Sequence, residues 1–434
     1  MMFTSIPEDF LHYVWRSLNF DLKGLITTEG EPVRIHRQGI LNTNQGPDFL
    51  EARIGIGEME WHGQVEIHLS SQDWYRHGHD KDPHYNNVIL HVVLESGGGV
   101  IMREDGTAIP ELELKGRIPA RLQQQYERLR LSQGQIPCAF ALPKLKDIYI
   151  YPWVERLSVE RMEAKAARMK ARLDVKVHDW EQVLWEELAA MMGGPVNQES
   201  MRQMAQCIPY QVLKKYRHKL LQTEALLFGG CGMLAGEQPA DAYYQHLRQE
   251  WHYLKKVHQL GSSFIALRFM RMRPASFPSI RLSQLAVMLT TFYPLIRLLE
   301  PAAHQQLIQT EVRASAYWDQ HYRFGEQAKK SQPKRLGMSQ KHTLIINTLI
   351  PLSLLYHRAH GREDTHELVE AGLGRLKPEH NRLLKDFEAL GIANEHALHS
   401  QGLIQLKKHY CMARKCLQCG IGHAVMQHAD TTGG

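Results

Sequence analysis

Apolar and polar positions alternate in two different rhythms along this chain, and the change of rhythm divides it. Residues 8–18 (EDFLHYVWRSL) place apolar side chains at helical spacing behind two acids, which predicts a first helix. Short runs of strand character follow at Val33–Arg37, Phe49–Ile56, Met59–Leu69 and Asn87–Glu95, punctuated by Gly46, Gly57, Gly63 and Gly78. The run VILHVVLE is apolar enough to be buried on both faces, as a central strand is. Glycines 97–99 and Asp105-Gly106 mark turns, with a further strand pair expected between Val100 and Leu114. After about Pro119 the period becomes helical. Residues 153–173 carry one apolar stripe, Asp179 is placed to cap WEQVLWEELAAMM, and Gly193-Gly194-Pro195 should stop that helix. Further helices are expected at 210–228, 241–258, 279–291, 342–356 and 378–390, with Ser331–Gly337 as an exposed loop and ADTTGG as a disordered tail. The fold class this predicts is an α+β N-terminal domain with a small mixed sheet, followed by a mostly α-helical region. The expected division is 1–118, 119–400 and a C-terminal cysteine segment, 401–434.

Charge sharpens that division. The net charge of +6 over 434 residues conceals 18 acidic against 9 basic residues in 1–115, so the front carries −9 and the remainder +15. An acidic, metal-seeking front joined to a basic back suits a polyanion such as nucleic acid, although Lys/Arg-rich helix surfaces alone would give the same balance. The longest apolar run, Leu344–Tyr356, is too short to span a bilayer and contains Asn347 and Pro351. No membrane partner and no signal peptide are expected. Six scattered cysteines do not form a disulfide framework, which points to a reducing cytoplasm.

The candidate chemistry is concentrated between Asn44 and Glu95. Glu66 and His68 lie two apart on a strand and therefore share a face. A neighbouring strand entered through Pro47-Asp48 can bring a second carboxylate beside them. Two carboxylates on adjacent strands can hold Mg²⁺ or Mn²⁺, and an imidazole can orient or deprotonate the attacking water. Asp48, Glu66 and His68 are the candidate catalytic residues. The loop HGHDKDPHY adds His77, His79 and Asp80 as metal ligands, with His91 on the next strand. Competing readings are a solvated turn capped by Asp80 or Asp82, and a core histidine at 91 satisfied by a backbone carbonyl.

Two more constellations stand outside the front. Cys411-x4-Cys416-x2-Cys419 offers three thiolates for Zn²⁺ or an iron–sulfur cluster, with His409, His423 or Cys231 as the fourth ligand. In RFMRMRPASFPSIRL, Arg268, Arg271, Arg273 and Arg281 interleave with Phe269 and Phe277, a pattern suited to phosphates and stacked bases.

The motif PD, an intervening strand, then E-x-H resembles the PD-(D/E)XK phosphodiesterase superfamily, which includes many DNA nucleases. The resemblance implies metal carboxylates at Asp48 and Glu66, with His68 standing where that superfamily has lysine. The chain also resembles a bacterial family catalogued as domain of unknown function 2851, through NQGPDF, WHGQVEIH, HGHDKDPHYNNVILHVV, RPASFPSIRL and YCMARKCLQCGIG. That family implies no reaction. The functional expectation is a metal-dependent phosphodiesterase acting on DNA or RNA. The alternatives are a nucleic-acid-binding protein with a degenerate nuclease core, or a His/Asp metal hydrolase of a small substrate.

Overall fold

The computed structural model describes residues 6–236, 241–261 and 265–428; the expected disordered tail lies outside them. The chain forms two compact units, residues 1–150 with 407–434, and residues 151–406. The division therefore differs from the expected one. The first unit runs past 118, and the C-terminal cysteine segment is part of it rather than a separate piece. Among the described residues, no helix is long and apolar enough to cross a membrane.

In the first unit, helix α1 (Glu8–Ser17) buries Phe10, Leu11, Tyr13, Val14 and Trp15, and Leu18 ends it in the left-handed conformation. The main sheet is mixed. Strands β1 (Val33–Arg37), β3 (Phe49–Ile56) and β4 (Met59–Ser70) are successively antiparallel, with the two-residue β2 (Ile40–Leu41) on β3. β5 (Val88–Glu95) then pairs parallel with β4, and β8 (Glu111–Glu113) pairs parallel with β5. Parallel pairing needs a crossover. Between β4 and β5 it consists of a one-turn helix α2 (Asp73–Arg76) and two short turns, His79–Lys81 and Pro83–Tyr85. Between β5 and β8 it carries the small ladder β6 (Ile101–Met102) and β7 (Ala108–Ile109). β5 is buried at six consecutive positions, as its apolar run anticipates.

Two irregularities aim the sheet's polar face. The β3–β4 register shifts between Phe49 and Ala52, where Glu51 takes φ +56. The β4–β5 register shifts between Gln64 and Val65. Such bulges bend a strand and re-aim its side chains. Next to the second, a Cβ on Gly63 would stand 2.6 Å from the Asn87 carbonyl oxygen and 2.5 Å from Ile89. The bare glycine lets β4 pass that close to the start of β5.

The second unit is helical, and it departs from expectation where the backbone has a reason to break. The helix capped by Asp179 continues through the glycine pair as Trp180–Cys207, kinked where Gly194 takes φ +60. The expected helix at 210–228 is interrupted, and its main segment is Leu220–Gly230. The expected 342–356 helix is longer, Met338 to Ala359, and widens into a π-turn at Ile345–Leu349, just before Pro351, which has no N–H to donate. The expected 378–390 helix shrinks to Lys385–Ala389, because the Asn381 side chain accepts from the Leu383 N–H and holds a turn there. The 331–337 loop is not wholly exposed: Lys334 and Leu336 are buried, and Arg335 bridges to Arg313.

Candidate metal centre

Strand register assembles the site. Phe49 pairs with Val65, so Asp48, just before β3, comes level with Glu66. Glu66 pairs with His91 and His91 with Glu111. Residues in register share a face, so Asp48, Glu66, His91 and Glu111 form a row running across the strands. Glu66, His91 and Glu111 are buried. His68, two residues beyond Glu66, joins the same face and is also buried.

Hydrogen bonds tie the row together. The Asp48 N–H donates to Glu66 Oε2 at 3.0 Å, and the Ile67 N–H donates to Asp48 Oδ2 at 3.0 Å. Glu66 Oε1 lies 3.2 Å from His79 Nε2 and 3.5 Å from His68 Nε2. His68 Nδ1 contacts His91 Nε2 at 2.9 Å, and His91 Nδ1 contacts Glu111 Oε2 at 3.1 Å. Ser71 and Ser96 hydroxyls both donate to Glu111 Oε1. Burial alone would raise the Glu111 pKa, but the hydrogen bonds from His91, Ser96 and Ser71 override it and hold the carboxyl low.

This chain sets tautomers. An ionised Glu111 only accepts, so the proton of a neutral His91 sits on Nδ1. His91 Nε2 then accepts from His68 Nδ1. The His68 Nε2 lone pair is left facing His77 Nδ1 at 3.1 Å and the Glu66 carboxylate. Burial, reinforced by His91, His79 and His77, pushes the His68 pKa down to about 2, so the ring stays neutral.

Ligand atoms of His68, His77 and His79 all fall within 4.8 Å of one another. The crossover delivers two of them. α2 ends at His77, and Gly78, at φ +76, turns the chain so that His79 points back inward. His79 is wedged between Tyr85, stacked at 3.8 Å, and His68, with Trp74 at its edge. His77 sits exposed at the rim.

The carboxylates are crowded. Burial first, and the neighbouring Asp48 charge second, push the Glu66 pKa up to about 9. A buried carboxyl this close to a second carboxylate keeps its proton more readily unless a cation replaces it. His12 of α1 lies 3.1 Å from Asp48 Oδ2. Burial opposes its charge, but the hydrogen bond and charge of Asp48 override that and raise its pKa. One turn earlier on α1, burial raises the pKa of Glu8.

The structure thus brings together Asp48, Glu66, His68, His77, His79 and His91. Asp80 follows His79 in its turn and lies outside the three-histidine group. Asp82 caps the next turn by accepting from the His84 N–H. His91 is not satisfied by a backbone carbonyl; its partners are His68 and Glu111. Glu111, His12 and Glu8 escape the sequence reading. The i,i+4 pair Glu8/His12 on an amphipathic helix is a faint signal for two of them, but nothing local marks Glu111.

In the second unit, Arg268, Arg271 and Arg273 are exposed. Arg281 is buried and donates to Gln284 and Ser276, which corrects its expected place on a phosphate-binding surface. Phe269 and Phe277 pack edge to face, with the Arg323 guanidinium over both rings. Cys231, one candidate fourth ligand, belongs to the helical unit's apolar core. His423 is engaged with the Tyr13 hydroxyl at 2.7 Å, and His409 is exposed. A second compact group, Glu395, His396 and His399, lies in the helical unit, where the His396 ring accepts from the His399 N–H as a helix cap.

No curated protein and no solved structure matches the chain. A family model described as "Protein of unknown function (DUF2851)" matches residues 8–382, a span that holds the whole histidine–carboxylate row and stops short of the C-terminal cysteines. The chain belongs to this family.

Proposed function

We propose that the front unit is a divalent-metal hydrolase of phosphodiesters, acting on DNA or RNA. The observation that carries this reading is the row Asp48–Glu66–His91–Glu111, with His68, His77 and His79 converging on its carboxylate end. Glu66, His68, His77 and His79 would hold the ion, with Asp48 beside them. Their chemistry fits a cation, since the proton that the crowded Glu66 carboxyl retains occupies the place of positive charge. An imidazole-rich set suits Mn²⁺ or Zn²⁺ better than Mg²⁺, which prefers oxygen. A bound ion would polarise a phosphoryl oxygen and acidify a water held on it.

The chain's own groups supply the remainder. Glu111 and His91 hold His68 in the tautomer that offers Nε2, so His68 acts as a ligand rather than as a base. Tyr85 and Trp74 keep the His79 ring oriented. His12, whose pKa Asp48 raises, is a donor that can meet a phosphate oxygen when protonated. The order helix–strand–strand–strand–helix–strand in this unit is also that of the PD-(D/E)XK superfamily's core. Nucleic acid as substrate rests on charge: the +15 beyond residue 115 and the exposed Arg268, Arg271 and Arg273.

A cleavage assay on labelled single-stranded and duplex DNA and RNA, with Mn²⁺, Zn²⁺ or Mg²⁺, tests this reading. Cutting by the native protein should vanish in Glu66→Gln and Asp48→Ala, both still folded. Full activity in both variants sinks it. Salt-sensitive binding without cutting would favour the second reading, a binding protein with an inactive core. The neutral, buried His68 in the lysine's place is the observation on that side.

A further inference from the structure

The fold closes a long loop on the C-terminal cysteines. The segment after α3 (Ala120–Leu131) carries Cys138, buried, in the same unit as residues 407–434. Here Cys411 ends a π-turn (Leu406–Cys411), Cys416 opens a 3-10 turn (Cys416–Gln418), and Cys419 precedes the last helix, Gly420–His428, which packs against α3. None of the four is in a disulfide. The turn is tightly built. The Arg414 N–H donates to the Cys411 carbonyl, the Cys419 N–H to that of Cys416, and the His423 N–H to that of Cys419 at 2.8 Å. The last helix approaches so closely that a Cβ on Gly422 would stand 2.2 Å from the Cys416 carbonyl oxygen.

The thiols feel one another. Cys138, Cys419 and Cys416 all lie within electrostatic reach of Cys411. Cys138 lies within the same reach of Cys419 and Cys416. Positive charge stands by: buried Lys407 acts on Cys411, and Arg414 acts on Cys416. We propose that Cys138, Cys411, Cys416 and Cys419 ligate an iron–sulfur cluster that staples the C-terminal segment to the front unit.

Spacing favours a cluster over zinc. Around a single Zn²⁺ with Zn–S of about 2.3 Å, all four sulfurs would lie about 3.8 Å apart. Among the described residues, no three of these sulfurs lie within 4.8 Å of one another. A cluster spreads its thiolates over several irons and tolerates that spread. The spacing Cys-x4-Cys-x2-Cys with a distant fourth cysteine is also a cluster-binding pattern, here with the distant ligand upstream. Lys407 and Arg414 offset the excess negative charge of four thiolates. The fourth ligand is thus Cys138, not His409, His423 or Cys231.

The test is purification of the full chain without oxygen, with iron, zinc and acid-labile sulfide measured per chain and spectra recorded before and after dithionite. Iron and sulfide in comparable amounts, with a visible charge-transfer band that bleaches on reduction, are expected. Cys138→Ser should lose most of the iron, and Cys207→Ser, outside the group, should keep it. Stoichiometric zinc without sulfide overturns the proposal. So does failure of the native protein to take up iron on incubation with ferrous iron and sulfide, or full iron retention in Cys138→Ser. The native protein's metal and sulfide content decides the matter even if the Cys138 variant does not fold.

Discussion

Both units bury charge, but they balance it differently. Among the described residues of the helical unit, buried charged groups meet an opposite charge or a neutral hydrogen-bonding partner. Glu187 is clasped by Arg172 and by Arg202, the latter at 2.5 Å. Glu224 accepts from the Ser283 hydroxyl at 2.5 Å and the Tyr243 hydroxyl at 2.8 Å. Lys341 donates to the carbonyls of Ile308 and Thr310. In the front unit like faces like: Asp48 crowds Glu66, and three imidazoles converge on one point. A buried charge with its partner in place is structural. A buried group of like charges is incomplete, because low dielectric makes the repulsion costly unless something of opposite sign is added. The contrast supports the proposal that the front unit carries the site.

The comparison can be broken by experiment. The largest effect should come from the helical unit. Glu187→Gln leaves two arginines, one of them buried, without their carboxylate, and should cost about 3–5 kcal/mol of stability. Denaturant unfolding measures this, and metal content should not change. A metal loss in that variant would erase the distinction between the units.

Glu111→Gln should do the reverse. It removes the charge that sets the His91 and His68 tautomers while leaving every ligand in place. Metal affinity should fall by about 10–100-fold, read by competition with a chelating dye, with the fold retained. Unchanged affinity would mean that Glu111 serves packing only.

The smallest effect is one of pH. Glu66 has a folded pKa raised above its unfolded value near 4.5, so its contribution is complete at low pH and is lost as pH rises through about 9. His68 has a depressed folded pKa, so its contribution is present above about 6.5 and is lost as pH falls toward 2. Between about 4.5 and 6.5 the two slopes oppose one another; above 6.5 the Glu66 loss remains, and His12, whose folded pKa is also raised, adds a loss of the same sign. Metal-free protein should therefore melt progressively lower from pH 6.5 to 9, and saturating Mn²⁺ should flatten that decline, because the ion replaces the proton on Glu66. A decline identical with and without metal would show that the carboxylate crowding is unrelated to any ion.

Much of the front unit is readable along the chain. Strands at 33–37, 49–56 and 59–70, the buried strand at 88–95 and the first helix follow from period and turn residues alone. The pair Glu66/His68 follows from the two-residue repeat of a strand. Helix ends in the second unit are less legible, because breaks at Gly194, Asn381 and the π-turn depend on local competition for backbone hydrogen bonds.

What the sequence by itself determined is therefore the type of most elements in the front unit, the shared face of Glu66 and His68, and the spacing of Cys411, Cys416 and Cys419. Only the tertiary structure decided which strand lies beside which and in what register. That placed Glu111 at the end of the row behind His91, set His12 against Asp48, and brought Cys138 to the C-terminal cysteines. The physical reason is that register and crossover are set by burial summed over whole strands and helices. No short window of residues contains that sum, so the partners it brings together leave no mark in the sequence around them.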